Sequence, residues 1–343
     1  MHLVLNMLKE EKLPDPKIGI VGASGLVGRT LLKVIEERQF PNRELRLFAS
    51  EQSEGKSLEF GGKSFTLQKL SLQAFEGLDI VFFVSTNQVS LDWAPAAVAK
   101  GALIIDNSKA YRMNPDVPLV VPEINGDQIF PHPGIIANPN CSTVQTVMAL
   151  FPLAKRYGLK RVVVTTFQSV SGSGKQAVEQ LRAERKGELN TGSNVYPHPI
   201  FNNCLPHIGN FLENGCTDEE IKMVNESRKI LDLPDLPITA TTVRVPVEYS
   251  HSVSLNVELE ANFNIEDVRN LYRHTAGIIL KDAPAQNIYP LPRDAMGRDD
   301  VFIGRLRRDE SVPFGLNMWV VADNLRKGAA TNALQIAEYR LKF

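Results

Sequence analysis

The stretch "KIGIVGASGLVGRTLL", residues 17–32, constrains the fold more than any other part of the chain. A short β-branched run is followed by glycines at 22, 25 and 28, and then by apolar residues at helical spacing. Glycine permits a tight turn, lets a phosphate approach the backbone and allows a helix to pack closely. The spacing is G-x-x-G-x-x-G rather than the commoner G-x-G-x-x-G, and purely structural turns also produce such triplets. The surroundings decide between those readings. Residues 44–50, 79–85 and 101–108 read as further strands, with a helical stretch over 88–100 between the last two. Such alternation implies right-handed βαβ crossovers and a parallel sheet covered on both faces. The glycines then sit between the first strand and first helix of an array suited to a dinucleotide.

The chain has 343 residues, more than one hydrophobic core usually supports, so two domains are expected. Beyond residue 160 the pattern changes. "RVVVTTFQSVSGSG" reads as a strand entering a Gly/Ser loop. A helix from Lys175, a polar Pro-rich stretch over 187–206 and a helix over 218–231 follow. "ITATTVRVPVEYS" and "HSVSLNVELEA" are strand patterns, and later strands fall near 301–306 and 315–322. "RKGAATNALQIAEYRLKF" closes the chain as an amphipathic helix. Consecutive strands with few helices between them predict an α+β domain on a mostly antiparallel sheet. Charged residues make up 22% of the chain and the formal net charge is −1, so nothing marks a nucleic-acid-binding surface. No apolar run approaches the roughly 18 residues of a membrane span. Residues 1–16 carry acidic residues, Pro14 and Pro16 and read as a leader arm, not a signal peptide. Three cysteines, an odd count, argue against a disulfide scaffold and for a reducing, cytoplasmic setting.

"IIANPNCSTVQTVMAL" sets Cys141 between a short apolar strand and a long helical run. Unpaired N–H groups and the positive end of a helix would stabilise a thiolate there and lower its pKa, making Cys141 a candidate nucleophile. A small buried residue in a strand-to-helix turn is the alternative. Cys204 and Cys216 lie in polar, loop-like surroundings, resemble no metal site and read as structural. In "FASEQSEGK", Ala49 and Ser50 stand where a ribose-binding carboxylate would fall after the second strand. That small polar loop leaves room for a 2′-phosphate and points to NADP, while Glu51 and Glu54 lie close and the loop has no arginine.

"GASGLVG", "NPNCSTVQTVMAL", "FQSVSGSGK", "EEIKMVNESRKIL", "RVPVEYSHS" and "WVVADNLRKGAATNALQIAE" occur in the order seen in aspartate-semialdehyde dehydrogenases of the bacterial type. The chain resembles that family from Lys17 to its C-terminus. The resemblance implies an α/β fold with a Rossmann-like N-terminal parallel-sheet domain (17–140 and 324–343). A C-terminal α+β domain (141–323), catalytic and dimerising, would carry the mostly antiparallel sheet. The implied reaction is reductive dephosphorylation of L-aspartyl-4-phosphate to L-aspartate-4-semialdehyde by NADPH, in lysine, diaminopimelate, threonine and methionine biosynthesis. Cys141 would attack the acyl phosphate and form a thioester, and hydride would then release the aldehyde.

By the same resemblance His251 is the general acid/base, a task suited to a pKa near working pH, and Gln168 orients the substrate. His2, His132, His198, His207 and His274 have no such motif context. Arg244 would hold the α-carboxylate as a planar two-pronged donor, Glu219 the ammonium group, and Lys222 and Arg112, with Asn140, the phosphate. Read without the resemblance, Glu219 and Lys222 at i and i+3 are also a solvated ion pair, and His251 and Gln168 ordinary strand residues. Cofactor contacts fall on Gly22, Ser24, Gly25, Leu26, Val27 and Gly28, on Ser50, Gln52 and Ser53, and on Ser85. Ser171, Gly172 and Asn324 would meet the nicotinamide half.

Arg244 and His251 are seven residues apart, so one unbroken strand would point them to opposite faces. Pro246 and the following "EYS" must turn the chain if both serve one pocket. Two positions depart from the family pattern: Ser250 replaces a glycine before the histidine, and Gln52 stands where an arginine is frequent. Two readings compete with the family assignment. One is N-acetylglutamyl-phosphate reductase, whose acylated amine has no use for Glu219. The other is a catalytically inactive dinucleotide-binding homologue, against which the intact set Cys141, Gln168, Arg244 and His251 argues. A homodimer is the expected assembly.

Overall fold

The computed structural model describes residues 15–130, 134–188 and 194–342. The leader arm, except for its last two residues, and His2 and His132 lie outside them. The chain forms β1 (Lys17–Val21), α1 (Leu26–Glu37), β2 (Glu44–Phe48) and a hairpin of β3 (Ser57–Phe60) and β4 (Lys63–Thr66). Next come β5 (Ile80–Phe83), α2 (Asn87–Ala99), β6 (Leu103–Asp106), α3 (Pro122–Asn125) and β7 (Ile135–Ala137). The second half opens with α4 (Cys141–Tyr157), β8 (Leu159–Gln168), α5 (Lys175–Arg185), α6 (Asp218–Leu231), β9 (Ile238–Arg244) and β10 (His251–Leu259). It ends with α7 (Ile265–Arg273), β11 (Ile278–Leu280), α8 (Pro292–Ala295), β12 (Val301–Asp309), β13 (Gly315–Ala322) and α9 (Thr331–Lys342).

The first sheet is parallel throughout, in the order β2-β1-β5-β6-β7. The continuous apolar run of β5 is buried at every position, as a strand covered on both faces requires. One face packs on α1 and α9 through Ile18, Ile20, Leu31, Ile35, Leu334 and Ile336. The other packs around Phe75, Phe83 and Ala94. The second sheet runs β11-β12-β13-β10-β8-β9. Its three central pairings are antiparallel and the outer two parallel, so it is mixed and mostly antiparallel, as the sequence leads one to expect. Val144, Val147 and Leu150 of α4 and Val268 of α7 cover one of its faces. No described helix is long and apolar enough to cross a membrane.

The reading of one continuous closing helix from Arg326 needs correction. Residues Arg326–Ala330 form a π-helical turn ahead of α9. The wider turn brings Gly328 against the start of α4, where an added Cβ would lie 2.9 Å from Cys141 Cβ. Asp323 anchors it by accepting the N–H groups of Leu325 at 2.9 Å and Arg326 at 3.2 Å. Lys327, only 1% exposed, donates to both carboxylate oxygens of Glu123 at 2.8 and 2.7 Å. It also donates to Asn332 Oδ1 at 3.0 Å and Gln335 Oε1 at 2.7 Å, so every ammonium proton has an acceptor. This pair fastens the returning helix to α3. Replacing Lys327 by Met leaves Glu123 largely buried without its cation, which should lower stability by about 3–5 kcal/mol. Urea unfolding checks this: an unchanged midpoint would remove the ion pair from the account of the fold.

Candidate active site

The loop after β1 turns at Gly22, whose φ of +91° lies in the region that favours glycine. A Cβ at Gly28 would come within 2.7 Å of Ala23 Cα, so only glycine lets α1 approach the loop this closely. Gly25 caps α1 without a side chain and no acidic residue occupies the first turn, which leaves the helix N–H groups open to an anion. Ser24, Leu26 and Val27 belong to this same turn. Ser50, Gln52 and Ser53 follow β2, and Ser85 follows β5, at the same C-terminal edge of the parallel sheet. Backbone donors, close glycine packing and a polar flanking loop fit a dinucleotide. Glu51 in that loop is ion-paired with Lys69. The sequence reading missed this cation because it lies beyond the hairpin, 18 residues further on.

Cys141 is the first residue of α4, preceded by Asn140 as N-cap. Asn140 Oδ1 accepts from Ser142 N at 2.9 Å and Thr143 N at 3.3 Å. The expectation that the helix end lowers the thiol pKa is corrected, because burial and a neighbouring carboxylate outweigh its pull. Burial, and then the Glu219 carboxylate, push the Cys141 thiol up to about 11, against the opposing pull of Arg244, Arg112 and the Ser142 N–H.

Asn140 Nδ2 donates to Glu219 Oε1 at 2.9 Å, and its backbone N–H donates to Glu226 Oε2 at 2.7 Å. Both carboxylates come from α6, which Thr217 and Glu220 start with a reciprocal capping box. Glu219 also accepts from Gln168 Nε2 at 3.1 Å and Lys222 Nζ at 2.6 Å. Burial opposes its charge, but Lys222, Asn140 and Gln168 outweigh that and hold the carboxyl down to about 2. The buried Arg112 donates to Glu226 Oε1 at 3.0 Å and to the Asn107 carbonyl at 2.7 Å. Glu226 escaped the sequence reading. Positions 219, 222, 223 and 226 nevertheless follow the i, i+3, i+4, i+7 spacing of one helix face, the signal that could have found it.

The strands β9 and β10 flank β8, with Arg244 paired to Gln168 and Ser252 to Phe167. Residues 245–250 cross the end of β8, where Val245 N donates to the Gln168 carbonyl and Val170 N to the Val247 carbonyl. The turn required at Pro246 is therefore present, and Arg244 and His251 reach one place from two strands. An added Cβ at Gly172 would lie 3.1 Å from Arg244 Nη1 and 3.2 Å from His251 Nε2, so the two side chains meet over this glycine. Arg244 Nη1 donates to the Ser169 carbonyl at 2.6 Å, while its buried Nε has no partner. Ser250 adopts φ +70°, which explains why glycine serves the family at this position. A serine there costs about 1–2 kcal/mol. Its N–H donates to Asn324 Oδ1 at 2.9 Å, an oxygen that also accepts from the Ser169 and Ser171 hydroxyls. Cys204 is exposed and Cys216 half-buried, both free, and no group of three or more His, Cys, Asp or Glu among the described residues could hold a metal.

Residues 17–132 match the family pattern described as semialdehyde dehydrogenase, NAD binding domain. Residues 150–327 match semialdehyde dehydrogenase, dimerisation domain. The aspartate-semialdehyde dehydrogenase of Aquifex aeolicus is 50% identical, over 95% of this chain and 98% of its own. That of Bacillus subtilis is 44% identical, over 94% and 96%. The crystal structure of aspartate semialdehyde dehydrogenase II from Vibrio cholerae complexed with ASA is 42% identical with a TM-score of 0.91, covering 96% of this chain and 99% of that one. The chain belongs to the aspartate-semialdehyde dehydrogenases. It is thus an oxidoreductase of the aspartate pathway with a dinucleotide-binding domain.

In this aspartate-semialdehyde dehydrogenase, Glu219 ties the cluster to acid stability. Its carboxyl is depressed from 4.5 to about 2, so its contribution is present above pH 4.5 and is lost as pH falls through about 2. The shift corresponds to about 3 kcal/mol. Denaturant unfolding of wild type and Glu219→Gln across that window should show the wild type losing more stability on acidification. Parallel curves would show that Glu219 is not held ionised.

Proposed function

We propose that this enzyme reduces L-aspartyl-4-phosphate to L-aspartate-4-semialdehyde with NADPH through a thioester on Cys141. The observation that carries the reading is the single cluster that joins Cys141 to a paired Glu219–Lys222, an Arg112 held by Glu226 and an Arg244 with no carboxylate of its own among the described residues. Arg244, with an unsatisfied Nε, takes the α-carboxylate. Glu219 takes the α-ammonium, and Lys222 and Arg112, with Asn140, take the phosphate. Gln168 orients the acyl group, and His251 serves the carbonyl oxygen as acid/base partner. Cys141 forms the C–S bond as phosphate leaves. The nicotinamide cofactor supplies hydride to the thioester carbon when bound. An acetylated amine would leave the buried Glu219 without a cationic partner on the substrate, which favours aspartyl phosphate over N-acetylglutamyl phosphate.

Gly22, Gly25 and Gly28 receive the pyrophosphate on the α1 N-terminus, with Ser24, Leu26, Val27 and Ser85 lining it. Ser50, Gln52 and Ser53 face the ribose, Lys69 adds positive charge beside them, and Ser171, Gly172 and Asn324 face the nicotinamide. We divide the chain into a cofactor unit, 17–140 with 324–343, and a catalytic unit, 141–323; the packing of α9 on the first sheet supports this. The face of the second sheet away from α4 leaves Phe167 and Trp319 half-buried, their rings 5.4 Å apart, and Arg305 and Arg307 exposed. A second copy covering this face in a homodimer accounts for it. The free cysteines support a cytoplasmic enzyme, with a product feeding lysine, diaminopimelate, threonine and methionine synthesis.

Substrate, nucleophile and coenzyme are each open to a separate test. Phosphate-dependent NADP reduction should proceed with aspartate semialdehyde and not with N-acetylglutamate semialdehyde. Cys141→Ser should abolish it while retaining NADPH binding by fluorescence, and substantial residual turnover would reject the covalent route. With NADP and NAD compared side by side, kcat/KM should favour NADP, and Lys69→Ala should narrow the ratio; a wild-type preference for NAD would overturn the reading of the Ser50 loop.

A further inference from the structure

Arg244 is 4% exposed and has no carboxylate partner among the described residues, so its charge is buried without an anion. A guanidinium in that position needs another source of negative potential. The Ser169 carbonyl supplies one, accepting from Nη1 at 2.6 Å. Tyr196 supplies a second: Arg244 Cζ lies over its ring, 5.8 Å from the centroid. Tyr196 is itself buried and comes from the polar, Pro-rich segment between α5 and α6.

That segment is clamped at both ends. Val195 N donates to Gln180 Oε1 at 2.8 Å, and Ile200 N and Phe201 N donate to Glu184 Oε2 at 2.8 and 2.7 Å. Gln180 and Glu184 lie one turn apart on α5 and are joined by their own bond of 2.7 Å. At the other end Leu205 and Arg244 exchange backbone hydrogen bonds of 2.9 and 2.8 Å, which ties the segment to the strand that carries the arginine. Between the clamps Tyr196, Ile200 and Leu205 pack against Val170, Val178 and Leu181. The ring is thereby held in place by α5 on one side and β9 on the other.

We propose that Tyr196 is a positioning residue for the substrate α-carboxylate: its ring holds the Arg244 guanidinium in place without using the N–H donors that the carboxylate requires. This rests on Arg244 binding that carboxylate, as proposed above. A carboxylate from the protein would balance the cation too, but it would occupy the planar N–H fork and compete with the substrate for it. An aromatic ring attracts the cation through its π face and takes no N–H from it. The fork stays open, in keeping with an Arg244 Nε that is buried and has no partner. Burial raises the Tyr196 hydroxyl pKa against the opposing pull of Arg244, so no phenolate competes for the guanidinium. Burial, and then Arg244, hold the neighbouring His251 imidazole down to about 3, so it is neutral beside the arginine.

Steady-state kinetics with aspartate semialdehyde, phosphate and NADP separate this role from simple packing. Tyr196→Leu keeps the cluster apolar but removes the ring, and should raise KM for aspartate semialdehyde about tenfold with kcat and the KM for phosphate little changed. Tyr196→Phe keeps the ring and should hold KM near the wild-type value; a Phe variant as weak as Leu would assign the effect to the hydroxyl and overturn the platform. NADP binding by fluorescence should survive in both variants. Leu26 of the cofactor turn packs on the same cluster, so NADP binding reports whether the cluster has collapsed. Weakened NADP binding together with a fall in kcat would mark Tyr196 as a packing residue only and overturn the proposal. Arg244→Lys tells the two readings apart. If it raises KM for aspartate semialdehyde and Tyr196→Leu does not, the platform alone fails; if it leaves KM unchanged, Arg244 is not the carboxylate's partner and both fail.

Discussion

Asn140 is the residue on which the Cys141 cluster depends. Its side-chain oxygen caps the helix that begins with Cys141, its side-chain nitrogen donates to Glu219, and its backbone N–H donates to Glu226. Two polar groups of one buried residue, its side-chain amide nitrogen and its backbone N–H, therefore fix the Cys141 helix to α6, while its side-chain oxygen caps α4 itself. A rotation of α4 that moved the cysteine would break both bonds to α6 in a buried site. Cys141 has little positional freedom as a result, and Gly328 packs against it.

The same residue changes the electrostatics that a bare helix end would give. A sequence ending a strand and starting a helix at a cysteine suggests a stabilised thiolate. Asn140 shares the nearest donors, and burial together with the glutamate it binds outweighs what remains of their pull on the sulfur. The resting thiol is consequently held protonated. That restrains side reactions of a cysteine whose neighbours also include two arginines.

Much of the scaffold was legible because it follows local rules. The parallel strands declare themselves by β-branched runs between glycine turns, and α6 begins where Thr217 and Glu220 form a capping box. Cys141 at a helix start follows from Asn-Pro-Asn before an apolar run. What sequence could not show depends on partners far along the chain. The Glu226–Arg112 bond spans 114 residues, and the Ser169–His251 bond uses a backbone atom that no residue pattern encodes. The π-turn at Arg326–Ala330 is set by packing on Cys141, not by helix propensity, so periodicity passes over it. The seven-residue spacing of Arg244 and His251 misled only while they were assigned to one strand; once β9 and β10 lie on either side of β8, the spacing is the length of the crossing.

Charge bookkeeping across the cluster shows why these residues form one device. Arg112 is matched by Glu226 and Lys222 by Glu219, which leaves Arg244 as the excess cation among the described groups of the cluster, with His251 neutral. Aspartyl phosphate brings one ammonium, one carboxylate and a phosphate dianion, so it is more negative than the pocket is positive. In the proposed reaction Glu219 answers the ammonium only by loosening its hold on Lys222, and that frees Lys222 for the phosphate. On that proposal the Glu219–Lys222 ion pair is the resting form of a partner exchange, in which one substrate group releases the cation that another requires. Each carboxylate remains paired throughout, which avoids the large penalty of an isolated buried charge. A neutral His251 belongs to the same economy, because an imidazolium beside Arg244 would add a like charge where the site has no further anion to balance it.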